Sequence, residues 1–135
     1  MKAYKILIVE DDEDIVETVR YCLEVKGFVV EVAYDGLNAL RMARKNQYDL
    51  MLLDIMLPGK NGYEVSRILK EEMDHKKIEP FPILVLTARK VNSPEREDFL
   101  ATWSKADEFM YKPFEMADLM NKIAVHMERF SAVPV

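Results

Sequence analysis

The chain has 135 residues, half of them apolar and about a third charged, with a formal net charge of −5 and a single cysteine. That length suits one ordinary domain with a buried core. The acidic balance disfavours nonspecific binding to nucleic acid or an anionic membrane, the lone Cys22 excludes an internal disulfide, and no apolar run is long enough to span a bilayer.

Lys2 and Lys5 precede an apolar run that is short and ends in acids, which is not the pattern of a signal peptide. A reducing, cytoplasmic setting is expected. Tyr4 to Val9 is predicted as the first strand; its apolar residues stop at Glu10, Asp11 and Asp12. From about Asp14 to Lys26 the apolar residues Ile15, Val16, Val19, Cys22 and Leu23 fall on one helical face, which predicts a buried thiol, and Gly27 reads as the stop. Phe28 to Tyr34 is a second strand. Gly36 to Lys45 is a helix with Leu37, Leu40, Met42 and Ala43 inward. Asp49 to Leu53 is a third strand that runs straight into Asp54, and Pro58, Gly59 and Gly62 mark a loop. A third helix is expected from Tyr63 to about Met73. Ile83 to Leu86 is a fourth strand, Ser93 and Pro94 cap a fourth helix through about Trp103, and Glu108 to Tyr111 is a short fifth strand. Met116, Leu119, Met120, Ile123, Ala124, Met127 and Phe130 draw the stripe of a last helix.

Five strand–helix units imply a parallel sheet covered on both faces, with right-handed crossovers. Ligands of such sheets sit beyond the carboxyl ends of the strands. An apolar run ending in an acid is a buried strand that delivers a carboxylate to that end. If the first and third strands are neighbours, their backbones lie about 4.8 Å apart, and the acids of the Glu10-Asp11-Asp12 run crowd one spot with Asp54. Their charges then repel unless a cation sits between them, which makes the constellation a candidate magnesium site. Nine methionines fall largely on helix stripes and read as core filling. His75 and His126 lack a recognisable setting for chemistry and read as surface or helix residues.

The segments Ile6 to Asp12, Asp54-Ile55-Met56-Leu57-Pro58-Gly59-Lys60-Asn61-Gly62, Leu86-Thr87-Ala88-Arg89 and Lys112-Pro113-Phe114 resemble, in order and close to its spacing, the receiver domain of bacterial response regulators. The resemblance implies an α/β, flavodoxin-like doubly wound (βα)5 fold with a five-stranded parallel sheet in the order 2-1-3-4-5. Residues 1–130 are expected to form the receiver domain and 131–135 a tail or the start of a linker.

The family pattern makes Asp54 the phosphoacceptor, a carboxylate that takes a phosphoryl group as an acyl phosphate. It assigns Mg2+ to Asp11, Asp54 and the backbone carbonyl of Met56, with Glu10 acting through a water. Lys112, whose bond to Pro113 is expected to be cis, sets an ammonium against the phosphoryl oxygens, and Thr87 donates its hydroxyl. Phe109 is the switch aromatic that fills the space behind Thr87, with Tyr111 expected on the opposite face. The surface of the fourth helix, fifth strand and fifth helix changes in consequence. Met56 and Arg89 are expected to modulate the phosphoryl lifetime. Asp12 is read instead as part of a helix start, with Glu13 and Asp14 complementing the dipole.

The implied partners are a sensor histidine kinase or histidine phosphotransfer protein, and a phosphorylation-dependent homodimer or a downstream protein target. Direct nucleic-acid binding and membrane association are not expected, nor is enzymatic turnover beyond the chain's own phosphorylation and dephosphorylation. The alternative is a receiver-like interaction scaffold acting without phosphorylation. A phosphatase with an aspartyl nucleophile would carry a second Asp where Met56 stands. A nucleotide-binding domain would carry a GxxxxGK(S/T) loop, which is absent. Lys105 stands where the family has glycine before Ala106-Asp107, so the end of the fourth helix is a departure from its pattern.

Overall fold

The computed structural model describes residues 3–87 and 94–130. The expectations for Ala88, Arg89, the Ser93 cap, the Phe130 side chain and the 131–135 tail lie outside the described residues.

Ten elements alternate along the chain: β1 (Lys5–Val9), α1 (Glu13–Val25), β2 (Val29–Ala33), α2 (Gly36–Lys45), β3 (Leu50–Asp54), α3 (Gly62–Asp74), β4 (Ile83–Thr87), α4 (Pro94–Ser104), β5 (Glu108–Tyr111) and α5 (Met116–Phe130). The strands form one parallel sheet in the order β2-β1-β3-β4-β5. The flavodoxin-like order implied by the family resemblance is therefore the observed one. Continuous apolar runs are what a sheet covered on both faces demands. Along β1, β3 and β4, Leu7, Val9, Met51, Leu53, Ile83 and Val85 pack with Ala39, Leu40, Val65 and Leu69 of α2 and α3. The alternate residues Ile6, Ile8, Leu50, Leu52, Leu84 and Leu86 pack with Val16, Val19, Leu23, Leu119 and Ile123 of α1 and α5.

Local signals account for the helix ends. The Asp12 carboxylate accepts from the backbone N–H groups of Asp14 (2.9 Å) and Ile15 (3.3 Å), so it is the N-cap of α1. Gly27 takes φ +96 after the last turn of that helix, where a side chain is disfavoured. Asp35 and Asn61 cap α2 and α3 in the same way as Asp12.

Three inward assignments fail. Leu37 is 62% exposed, because the buried stripe of α2 is Gly36, Ala39, Leu40 and Ala43 and Leu37 lies one position off it. Cys22 is half-buried rather than buried. On α5 the buried positions run Leu119, Ile123 and His126 at i, i+4 and i+7; Ala124 is exposed, and His126 takes its place inside. The His126 Nε2 lies 3.1 Å from the Glu108 carboxylate of β5. That partner comes from another element, so periodicity alone left His126 as an ordinary helix residue.

Candidate functional site

β1 lies between β2 and β3, so the chain leaves it in one direction and returns on its other side. This switch in strand order opens a crevice at the carboxyl ends. Val9 and Leu53 are register partners, which sets Glu10 beside Asp54 one residue further on. Glu10 is 2% exposed and Asp54 3%, while Asp11 faces solvent. Carboxylate oxygens of Glu10, Asp11 and Asp54 all lie within 4.8 Å of one another, the one such acidic group among the described residues.

Lys112 enters from the end of β5, where its backbone N–H donates to the Thr87 carbonyl at 2.8 Å. Its Nζ donates to Glu10 Oε1 at 2.7 Å and to Asp54 Oδ1 at 3.4 Å. The second oxygen of Glu10 accepts from the Asp12 N–H at 3.2 Å. Burial pushes the Glu10 carboxyl above the usual carboxylate range. The Asp54 charge adds to that rise, and the hydrogen bond from Lys112 opposes it. Burial works against the Lys112 ammonium, but its bond to Glu10 and the charges of Asp54 and Glu10 outweigh that effect and raise its pKa. One ammonium cannot balance three carboxylates. With all of them ionised the cluster retains a negative charge of two, which a divalent cation would cancel. A set of hard carboxylate oxygens, with solvent on the Asp11 side, suits an ion that binds oxygen and keeps several waters. The donor set fits magnesium on charge and chemistry.

Thr87 closes β4 at 3% exposure, one residue beyond the Asp54–Leu86 register pair. Phe109 is half-buried against the α2–α3 side of the core, its ring centroid 6.3 Å from that of Tyr63. Tyr111 stands two residues further along the same strand, so it shares the face of Phe109 rather than the opposite one; it is 44% exposed. Met110 is the residue that points the other way, into the α1–α5 side. Met56 is 59% exposed in the loop after β3. That loop is closed by the N–H groups of Leu57 (3.1 Å) and Gly62 (3.0 Å), both donating to the Ile55 carbonyl. The Lys112–Pro113 peptide is cis, as the resemblance implied.

Gly62, a loop marker and the last residue of a segment that carries the resemblance, also has a packing role at the site. A Cβ on Gly62 would sit 2.5 Å from the Asp54 carbonyl oxygen and 2.8 Å from the Ile55 Cα, so only glycine lets α3 begin against that backbone. The sequence signal was present: a glycine opening a helix, where no left-handed turn needs it, points to close approach.

Residues 6–124 match the response regulator receiver domain family. The response regulator MprA of Mycobacterium ulcerans (strain Agy99) is 36% identical over 125 residues; the match covers 93% of this chain and 50% of that protein, so the chain spans about half its length. The signal receiver domain of a histidine kinase from Syntrophus aciditrophicus superposes with a TM-score of 0.84 at 27% identity, covering 98% of this chain and 96% of that one. The receiver domain of sensor histidine kinase PA1611 from Pseudomonas aeruginosa PAO1, with magnesium coordinated in its active-site cleft, superposes with a TM-score of 0.78 at 26% identity, covering 94% and 99%. No helix among the described residues is long and apolar enough to cross a membrane. A family match over most of the length, on a fold that gathers its acids at the switch point, makes this chain a member of the response regulator receiver domain family of two-component systems.

Proposed function

We propose that the chain accepts a phosphoryl group on Asp54 from a histidine kinase or histidine phosphotransfer protein, with Mg2+ as cofactor, and reports it through α4, β5 and α5. The observation that carries this reading is the meeting of three acids and one ammonium at the ends of β1, β3 and β5, with Asp54 almost wholly buried. Asp11, Asp54 and the Met56 carbonyl would hold the ion, with Glu10 reaching it through a water. When bound, the ion supplies charge neutralisation for the oxygens of the phosphoryl group.

One Asp54 oxygen attacks phosphorus in line. The P–O bond forms as the P–N bond to the donor imidazole breaks, and the electron pair leaves with that nitrogen. Lys112, already 3.4 Å from Asp54, balances charge on the transferred group. Thr87 turns its hydroxyl toward the new phosphoryl oxygens, and Phe109 moves into the space behind it. The new charge shifts the population between two arrangements of the output surface. Beside Lys112, Ile15, Val19, Pro113, Phe114 and Met116 line an apolar groove that gives a donor protein a surface next to the acceptor. Met56 and Arg89 set how readily water reaches the acyl phosphate, whose hydrolysis returns Asp54 unmodified, so the chain turns over no external substrate. Residues 1–130 act as this receiver and 131–135 as a tail or linker, in the cytoplasm, with a downstream protein or a second copy as the responsive partner.

The test is incubation with acetyl phosphate, with and without Mg2+, read as a mobility shift on a phosphate-affinity gel. A Mg2+-dependent shift that disappears in Asp54→Asn is expected. An unmodified wild type leaves the phosphorylation-independent scaffold as the function, and an Asp54→Asn variant that is still modified moves the acceptor to another residue.

A further inference from the structure

Gly36 opens α2, an element that contributes no side chain to the acid cluster. A Cβ built on it would lie 2.6 Å from the Lys60 carbonyl oxygen, 3.0 Å from the Lys60 Cβ and 3.1 Å from the Val65 Cγ2. Its φ is not in the left-handed region, so conformational freedom does not explain a glycine here. Close approach does, as at Gly62. The two glycines close on the same loop, residues 55–61, Gly62 at its start and Gly36 near its end. Gly62 fits its α3 end against Asp54 and Ile55, and Gly36 lets the start of α2 close on Lys60.

We propose that Gly36 is a positioning residue for the Asp54 site, setting the β3–α3 loop and, through it, the Met56 carbonyl. The proposal rests on the reading above, in which that carbonyl is a magnesium ligand. A methyl group at position 36 must displace Lys60, because a contact of 2.6 Å to a backbone oxygen is not relieved by a rotamer change. α2 resists moving outward, because its Ala39, Leu40 and Ala43 are buried in the core. The loop yields more easily. Met56, Pro58, Gly59 and Asn61 are exposed, and Gly59 takes φ +78 with open space around it. The displacement therefore falls on the loop, whose Met56 lies four residues from the contact. Loss of a group that directly orients a metal ligand typically costs about 10–100-fold in affinity, and Gly36, which acts through the loop, belongs at the lower end.

The test is calorimetric titration of the whole chain with MgCl2, comparing wild type, Gly36→Ala and Leu37→Ala. Leu37 is the exposed neighbour on the same turn and serves as the control for disturbing α2. Mg2+ affinity is expected to fall roughly tenfold in Gly36→Ala, with a cooperative melt retained, and to stay unchanged in Leu37→Ala. An unchanged affinity in Gly36→Ala overturns the proposal. Should that variant not fold, wild-type amide NMR decides: Mg2+ should shift the Gly36 and Lys60 resonances together with those of Asp54 and Ile55. Shifts at Asp54 and Ile55 with Gly36 still overturn the proposal while leaving the metal site intact. A wild type that takes up no Mg2+ removes the metal reading, and this proposal with it.

Discussion

Glu10 and Asp54 are two carboxylates taken almost wholly out of water within reach of each other and of Asp11. Such an arrangement destabilises the metal-free fold, because holding like charges side by side away from water costs free energy. The raised Glu10 carboxyl is the signature of that tension. Lys112 relieves part of it at 2.7 Å from Glu10 and 3.4 Å from Asp54. Neutralising Asp54 should therefore stabilise the metal-free protein, and removing Lys112 should do the opposite. In EDTA, Asp54→Asn is expected to gain about 1 kcal/mol, a melting point higher by roughly 3–6 °C. Lys112→Met should lose at least as much, since it leaves both buried acids uncompensated. Adding Mg2+ should raise the melting point of wild type more than that of Asp54→Asn. Calorimetric melts with and without the ion check all three, and an Asp54→Asn protein that melts below wild type in EDTA would show that the cluster is not strained.

At the scale of elements, the central strands β1, β3 and β4 were legible because their continuous apolar runs suit a sheet buried on both sides, and β1 and β3 also because each runs into an acid, Glu10 or Asp54. Asp12 and Gly27 declared the two ends of α1 through cap chemistry alone. What stayed illegible were contacts brought in by distant segments. The end of α4 is the clearest case. Its final carbonyls are met by α3: Arg67 Nη1 donates to the Trp103 carbonyl at 2.7 Å with its guanidinium 5.0 Å from the indole ring centre, and Ser66 Oγ donates to the Ser104 carbonyl at 2.8 Å. Nothing in the local sequence announces that clasp, which satisfies groups a helix end leaves open. It also explains how Lys105 holds φ +60 where the family pattern has glycine. Its only described ion pair is with the exposed Asp74, at 3.6 Å, and contributes little. The left-handed conformation costs a non-glycine residue about 1–2 kcal/mol, against roughly 0.5–1 kcal/mol of extra chain entropy for glycine. Lys105→Gly is thus expected to stabilise the fold by about 0.5–1 kcal/mol, read from urea unfolding; destabilisation would mean that the Lys105 side chain does more than the clasp requires.

Across the whole molecule, the two ends of the sheet carry different chemistry. The carboxyl ends of the strands hold the strained acid cluster, whereas the other end is tied by satisfied pairs. There Tyr48, 5% exposed, donates from its hydroxyl to Glu31 Oε1 of β2 at 2.6 Å. Lys5 of β1 reaches the other Glu31 oxygen at 3.1 Å, and its backbone N–H donates to Asp49 at 2.8 Å, just before β3. One small network thereby joins three neighbouring strands. It also gives the fold a defined alkaline limit. Burial, with the adjacent Glu31 acceptor, pushes the Tyr48 phenol from its ordinary value near 10 up to about 12. The folded state thus keeps its proton where the unfolded chain has lost it. That contribution is complete below about pH 10 and disappears as pH rises through about 12, at a cost on the order of 2–3 kcal/mol. Tyr48→Phe should be less stable at neutral pH by about 1–2 kcal/mol, having lost a hydrogen bond and left Glu31 one donor short, yet its stability should fall less steeply above about pH 10. Urea unfolding of both proteins from pH 8 upward, at about half-unit steps, gives the two slopes. Parallel slopes would place the alkaline limit in another group, and a shallower slope in the phenylalanine variant would assign it to this buried phenol.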